Sequence, residues 1–210
     1  LTMRGRKAIE SADLVVGFKT VLDVIARWAE HGELCPMSYR DQEEVLEYAQ
    51  KQVQQGRSCV VCCWGDLNVS AKELLERVSR RVDRVELIPG ISSIQMACAR
   101  SGIYLEESLF ITLHRRSEEA TDLTELVYHL NEARRHIILL PRPFDLMPPT
   151  ITRRLVESGI SPDRKLTVYQ RLTFADEQQW AGTIAECADQ PDEFSDLSIM
   201  VFLRPEQQPD

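Results

Sequence analysis

No stretch of this 210-residue sequence stays apolar long enough to cross a bilayer, and its apolar runs, such as Ile137–Leu140, are strand-sized. No apolar stretch follows Leu1-Thr2-Met3-Arg4, so no secretory leader is expected. Basic residues are scarce: 25 Lys and Arg stand against 33 Asp and Glu, a formal net charge of −8. A nucleic-acid backbone needs clustered cations that this balance does not supply, so nucleic acid is not an expected partner. Glycine is also sparse, at nine residues, and no complete Gly-x-Gly-x-x-Gly, Walker loop or Gly-x-Ser-x-Gly occurs. Nucleotide hydrolysis and serine-nucleophile chemistry therefore lose ground. The six cysteines form no secreted framework. Cys59, Cys62 and Cys63 make half of a zinc pattern without its second half. They read as buried, reduced thiols in a cytoplasmic protein, and no metal is expected.

What is present is a regular alternation of helix-like and strand-like segments. The spacing predicts helices over 4–12, 22–29, 41–55, 71–79, 93–101, 122–133 and 148–158, with a short helical piece over 182–187. Strands are expected over 13–18, 58–64, 84–88, 109–113, 136–140, 165–172 and 197–203. Ser70-Ala-Lys-Glu73 has the form of a capping box, and the prolines at 148 and 149 suit a helix's first turn. Strands separated by helices imply an α/β chain with largely parallel or mixed sheets. The pattern restarts near residue 105, so two lobes are expected, 1–104 and 105–210.

Ligands of open α/β sheets sit beyond the carboxyl ends of strands, which directs attention to the segments that follow them. Gly65-Asp66 follows one strand; it is either an ordinary turn or a loop whose backbone approaches a ligand. Pro89-Gly90-Ile91-Ser92-Ser93 leads into a helix N-terminus, where two hydroxyls and free N–H groups either cap the helix or meet a carboxylate. Leu113-His114-Arg115-Arg116 ends another strand with three polar donors, a solvated turn or an anion grip. His129 and His136 lack partners at ligand spacing and read as structural.

Taken in order, these segments resemble the tetrapyrrole (corrin/porphyrin) methylase family, and within it the precorrin C5-methylases of cobalamin synthesis. The resemblance rests on Leu1-Thr2 with Gly5 and Ala8, on Ala12-Asp13-Leu-Val-Val-Gly17, and on the strand entering Gly65-Asp66. Its most specific part is Ile88-Pro-Gly-Ile-Ser-Ser-Ile-Gln95 through Gly102. Leu113–Arg116, Ile151–Gly159, Arg171-Leu172, Gly182-Thr183 and Asp196–Ile199 follow.

This resemblance implies a two-lobed fold with S-adenosyl-L-methionine held in the cleft between lobes, and a methyl transfer to a ring carbon. A homodimer is implied, with a decarboxylating methylase as a possible partner. Carried over by position, the cofactor contacts are Gly65, Asp66, Leu67, Ser92, Ser93, Leu113, His114, Leu140, Gly182 and Thr183. Arg115, Arg116, Arg142 and Arg171 are the expected grips for the carboxylate arms of a tetrapyrrole. His114 and Asp66 are the candidates for a general base. Three departures accompany the match. The family's glycine- and proline-rich first loop is expected ahead of Leu1. The loop Gly65–Ser70 is short, and Arg115 replaces a glycine. The competing readings are another tetrapyrrole methylase, such as the uroporphyrinogen-III C-methyltransferase, and a non-catalytic cofactor-binding relative.

Overall fold

A computed structural model describes residues 1–69, 71–114, 123–191 and 193–205. By its contacts the chain divides into two units, 1–92 and 93–210. The division falls one helix ahead of the expected 104/105 boundary.

The first unit contains α1 (Met3–Ser11), β1 (Leu14–Phe18), α2 (Lys19–Ile25), β2 (Glu33–Met37), α3 (Gln42–Gln54), β3 (Cys59–Cys62) and α4 (Lys72–Ser79). Its sheet has the order β2-β1-β3, and both pairings are parallel. The central strand is the run Leu-Val-Val-Gly-Phe, apolar on both faces because both are covered. Val15 packs with Ile9, Val21, Leu22 and Ile25 on one side. Leu14 and Val16 pack with Met37, Leu46 and Leu74 on the other. The cysteines belong to this packing: burial pushes the Cys62 thiol up to about 12 and those of Cys59 and Cys63 up to about 11. They stay protonated and behave as small apolar side chains.

Three local expectations need correction. Glu33–Met37 is a strand, although Pro36 and its polar start disguise it; it lies at a sheet edge, where proline is tolerated. Residues 84–88 form no ladder among the described residues. They are held instead to the start of α1, by an Arg4–Glu86 ion pair at 2.5 Å and a bond from the Thr2 hydroxyl to the Pro89 carbonyl. Helix α4 opens at Lys72 with Ala71 as its cap and no side-chain capping bond, while Ser70 lies outside the described residues.

The second unit holds α5 (Ser93–Ser101), β4 (Ser108–Thr112), α6 (Thr124–Glu132), β5 (His136–Leu140), α7 (Pro148–Glu157), β6 (Lys165–Gln170), β7 (Gln178–Thr183), α8 (Ile184–Ala188) and β8 (Ser198–Phe202). Its sheet order is β4-β5-β8-β6-β7. Strands β4 and β5 are parallel, and β8 is antiparallel to both β5 and β6. Strand β6 thus runs with β4 and β5, and β7 opposes it.

Alternation along the strands sends Ile137, Leu139, Leu166, Val168, Met200 and Phe202 into one core with Leu126, Leu130, Ile151, Leu155 and Ile184. The opposite face is dry as well, with Ile138, Ile199 and Val201 at or below 1% exposure. Helix α5 packs near β8 there, and its Ser101 hydroxyl lies 3.0 Å from the Tyr169 hydroxyl of β6. Those contacts place α5 in the second unit. Strand β7 was not expected; its sequence Gln-Gln-Trp-Ala-Gly-Thr is polar because it forms the outer edge. Among the described residues no helix is long and apolar enough to cross a membrane.

Removing one methylene from this core has a calculable cost. Ile137→Val, at a residue with no exposure, is expected to lower stability by about 1 kcal/mol, read from the urea midpoint at unchanged slope.

Candidate functional site

In the first unit all three strands end on the same side, because both pairings are parallel. The loops after β1, β2 and β3 therefore share one edge. The loop after β3 carries Gly65, Asp66 and Leu67, and the structure joins it to the second motif of the unit, Pro89-Gly90. The Asp66 carboxylate accepts the Gly90 N–H at 2.8 Å, and it also accepts the backbone and side-chain N–H groups of Asn68, each at 2.8 Å.

The approach is close: a Cβ placed on Gly90 would lie 1.9 Å from the Gly65 carbonyl oxygen. Gly65 itself has φ +57°, in the left-handed region that glycine reaches without cost. Two motifs that are 24 residues apart in sequence are thus one backbone assembly. Ser92, two residues beyond Gly90, is buried at 6% exposure.

These bonds redefine Asp66. Burial opposes its ionisation, but the donors from Asn68 and Gly90 outweigh burial and hold its carboxyl below the usual range. A carboxylate that weakly basic, with its oxygens already engaged, is poorly suited to take a proton. Asp66 organises the loop instead.

In the second unit the carboxyl edge is formed by the ends of β4, β5 and β6. Leu113 N–H bonds the Leu140 carbonyl at 3.0 Å, which continues the ladder one residue past β4 and sets His114 beside Pro141. Leu113 is buried, and Leu140 and His114 are half-buried. Burial lowers the His114 pKa, the neighbouring Arg142 lowers it further, and a hydrogen bond to the Pro141 carbonyl opposes them. The balance is a lowered pKa, which favours the uncharged imidazole. One ring nitrogen donates to Pro141, so the other is left as an acceptor.

Arg142 forms a two-point pair with Asp145, at 2.7 and 2.6 Å, inside a loop closed by reciprocal Arg142–Leu146 backbone bonds. Arg171 follows β6 with φ +53°. It pairs with Asp176 at 2.7 Å and stacks over Phe174. Of the four expected carboxylate grips, Arg142 and Arg171 therefore already hold carboxylates of their own chain. Arg115 and Arg116 lie outside the described residues.

Gly182 and Thr183 are elsewhere. They pair with Leu166 and Lys165 at the start of β6, the opposite end of the sheet from Leu113, His114 and Leu140. Thr183 there caps α8 in a reciprocal box with Glu186. The structure brings Leu113, His114 and Leu140 to one edge and Gly65, Asp66 and Gly90 to another. Gly182-Thr183 joins neither set. Sequence reading also missed the anchors of the first assembly, Asn68 and the Gly90 N–H. An Asp followed two residues later by Asn, the common Asx-turn pattern, was their available signal.

Histidine burial has a consequence for stability. His114 and His136 are both held below the ordinary value of 6.5, each chiefly by burial. The unfolded chain then binds protons that the folded chain does not. Stability is expected to be full above about pH 6.5 and to fall as the pH drops from there. Urea midpoints between pH 7.5 and 5.5 should show the fall, and His114→Gln should shrink it. An unchanged pH slope in that variant would contradict the assignment.

The comparisons agree with this architecture. The family model described as Tetrapyrrole (Corrin/Porphyrin) Methylases matches residues 1–188. A probable cobalt-precorrin-7 C(5)-methyltransferase of Methanocaldococcus jannaschii is 29% identical over 204 residues, covering 96% of this chain and 90% of that protein. Among solved structures, the precorrin-6Y methylase of Archaeoglobus fulgidus superposes with a TM-score of 0.66 at 23% identity, covering 97% of this chain and 91% of that one. The uroporphyrin-III C-methyltransferase of Thermus thermophilus, complexed with S-adenosyl homocysteine, gives 0.73 at 18% identity, covering 97% and 86%. With the family model covering all but the last 22 residues, the chain belongs to the tetrapyrrole (corrin/porphyrin) methylases, which are S-adenosylmethionine-dependent methyltransferases.

Proposed function

We propose that this protein methylates C5 of a precorrin, with S-adenosylmethionine as the methyl donor, in cobalamin biosynthesis. The supporting observation is the joined Gly65–Asp66 and Pro89–Gly90 assembly, together with similarity to a C(5)-methyltransferase along 96% of the chain.

The residues present suit the donor. S-adenosylmethionine, when bound, supplies a methyl group on a positively charged sulfonium. Uncompensated cations beside it would be unfavourable. Arg142 and Arg171 are each neutralised by an aspartate, and the lowered pKa of His114 favours its uncharged form. In the first unit Gly65, Asp66, Leu67 and Ser92 would hold the donor, with Ser93 next in the chain. In the second unit Leu113, His114 and Leu140 would do so, Leu113 and Leu140 offering apolar contact.

The substrate ring carbon is the nucleophile. A carbon–carbon bond forms as the sulfur–carbon bond breaks, giving S-adenosylhomocysteine, so the protein has no need of a serine or cysteine nucleophile. What remains is removal of a proton from the methylated ring system. Of the two candidates, His114 has one ring nitrogen without a partner among the described residues and a lowered pKa that favours its uncharged form, whereas the oxygens of Asp66 are engaged and its basicity is reduced. The same reading makes the protein a cytoplasmic homodimer working alongside a decarboxylating methylase.

Calorimetric titration with S-adenosylhomocysteine tests the donor site. Micromolar binding, about −8 kcal/mol, is expected. A folded chain that binds none would leave the fold and remove the methyl transfer.

A further inference from the structure

The first unit carries a second feature on the edge that holds Gly65–Asp66. Strand β2 ends at Met37, and the turn after it, residues 38–41, closes on itself. The Asp41 carboxylate accepts the Ser38 N–H at 2.5 Å, and the Ser38 hydroxyl accepts the Arg40 N–H at 3.2 Å. This pinned turn displays two side chains. Tyr39 is 74% exposed, and its ring is braced at 4.8 Å by Phe18 at the end of β1. Arg40 is exposed and has no ion pair among the described residues. At the carboxyl ends of the other sheet, by contrast, Arg142 and Arg171 are both paired. Asp41, the acid on the turn, is engaged by Ser38, and Glu43 on α3 by Arg77 and Arg81.

Strands β2 and β3 flank β1, so their ends stand about 10 Å apart, two strand spacings. That separation leaves room for a macrocycle beside the donor loop. We infer that the 38–41 turn is a substrate-recognition element: Tyr39 offers an aromatic face to the tetrapyrrole ring, and Arg40 takes one of its carboxylate arms. A guanidinium matches a carboxylate in two-point geometry, and an exposed ring braced from behind stacks at little entropic cost. The inference rests on the proposed tetrapyrrole substrate and adds the residues that recognise it. It also gives an acidic chain a local grip on an acidic ligand.

The test uses the full chain and uroporphyrin III, an octacarboxylic tetrapyrrole, followed by fluorescence quenching, with S-adenosylhomocysteine calorimetry in parallel. Arg40→Glu is expected to weaken uroporphyrin binding by roughly tenfold or more. Tyr39→Ala should weaken it several-fold, and Arg40→Lys, which keeps the charge but loses the two-point geometry, should fall between wild type and Arg40→Glu. S-adenosylhomocysteine affinity and the urea midpoint should stay near wild type in all three. If Arg40→Glu and Tyr39→Ala bind uroporphyrin like the wild type, the inference is wrong and the methyltransferase reading stands. Wild-type protein that binds S-adenosylhomocysteine but no uroporphyrin also overturns it. If the wild type binds neither, the proposed function itself has failed.

Discussion

Gly90→Ala is expected to reduce S-adenosylhomocysteine affinity by roughly a hundredfold or more while the chain remains folded. The added methyl would fall 1.9 Å from the Gly65 carbonyl oxygen, far inside van der Waals contact, and the obstacle is backbone rather than a flexible side-chain end. The two segments must part. Parting them breaks the Asp66 bond to the Gly90 N–H, and with it the shape of the donor loop. Both segments are surface loops, and the sheet they flank keeps its core, so the loss should be local. Calorimetry with the thermal midpoint as control reads both quantities. Near-wild-type affinity in Gly90→Ala would mean that the assembly does not hold the donor.

The second large effect belongs to His114. Replacing it with Gln keeps a side-chain donor for the Pro141 carbonyl and removes the basic nitrogen. The turnover number for methyl transfer should fall by about a hundredfold or more, within the range for loss of a general base. The KM for S-adenosylmethionine should change less than the turnover number, because Gln keeps the bond to Pro141 while losing the basic nitrogen. Because the wild-type imidazole is held below 6.5, the rate should be nearly flat above that pH and decline as protonation sets in below it. His114→Gln should lose that dependence along with the rate. A variant with full activity would move the proton to another acceptor.

Legibility follows apolar content more than position, since the edge strands Cys59–Cys62 and Ser108–Thr112 carry apolar runs and were expected. Leu14–Phe18, His136–Leu140 and Ser198–Phe202 are interior strands, covered on both faces, and continuous apolar runs announce them. The two that sequence reading missed, Glu33–Met37 and Gln178–Thr183, are sheet edges, where proline, glutamine and glycine are admitted. Residues 84–88 err in the other direction: Val85 and Leu87 alternate like a strand, but the described residues offer them no ladder. Pattern reports a tendency to pair and cannot report whether a partner is present.

For the candidate site, sequence reading found the segments but not their bonding. Gly65–Asp66 and Pro89–Gly90 stood out separately, and nothing in the spacing linked Asp66 to the Gly90 N–H. The arginines after β5 and β6 were visible, but their aspartate partners three and five residues on were not recognised as neutralising them. Arg171, Thr173 and Phe144 adopt positive φ without being glycine, a property of tertiary context that composition does not encode. Missing β2 as a strand also concealed Tyr39 and Arg40, since their significance depends on following a strand end.

The most direct test of the account follows the transferred carbon. The full-length protein would be incubated with methyl-13C S-adenosylmethionine and either precorrin-6Y or cobalt-precorrin-7, and the product examined by NMR. One labelled methyl per macrocycle, attached at C5, is expected, with S-adenosylhomocysteine formed in equal amount. A label at any other ring carbon would keep the methyltransferase and refute the C5 assignment. No label in either macrocycle, from protein that binds both ligands, would contradict methyl transfer as its function.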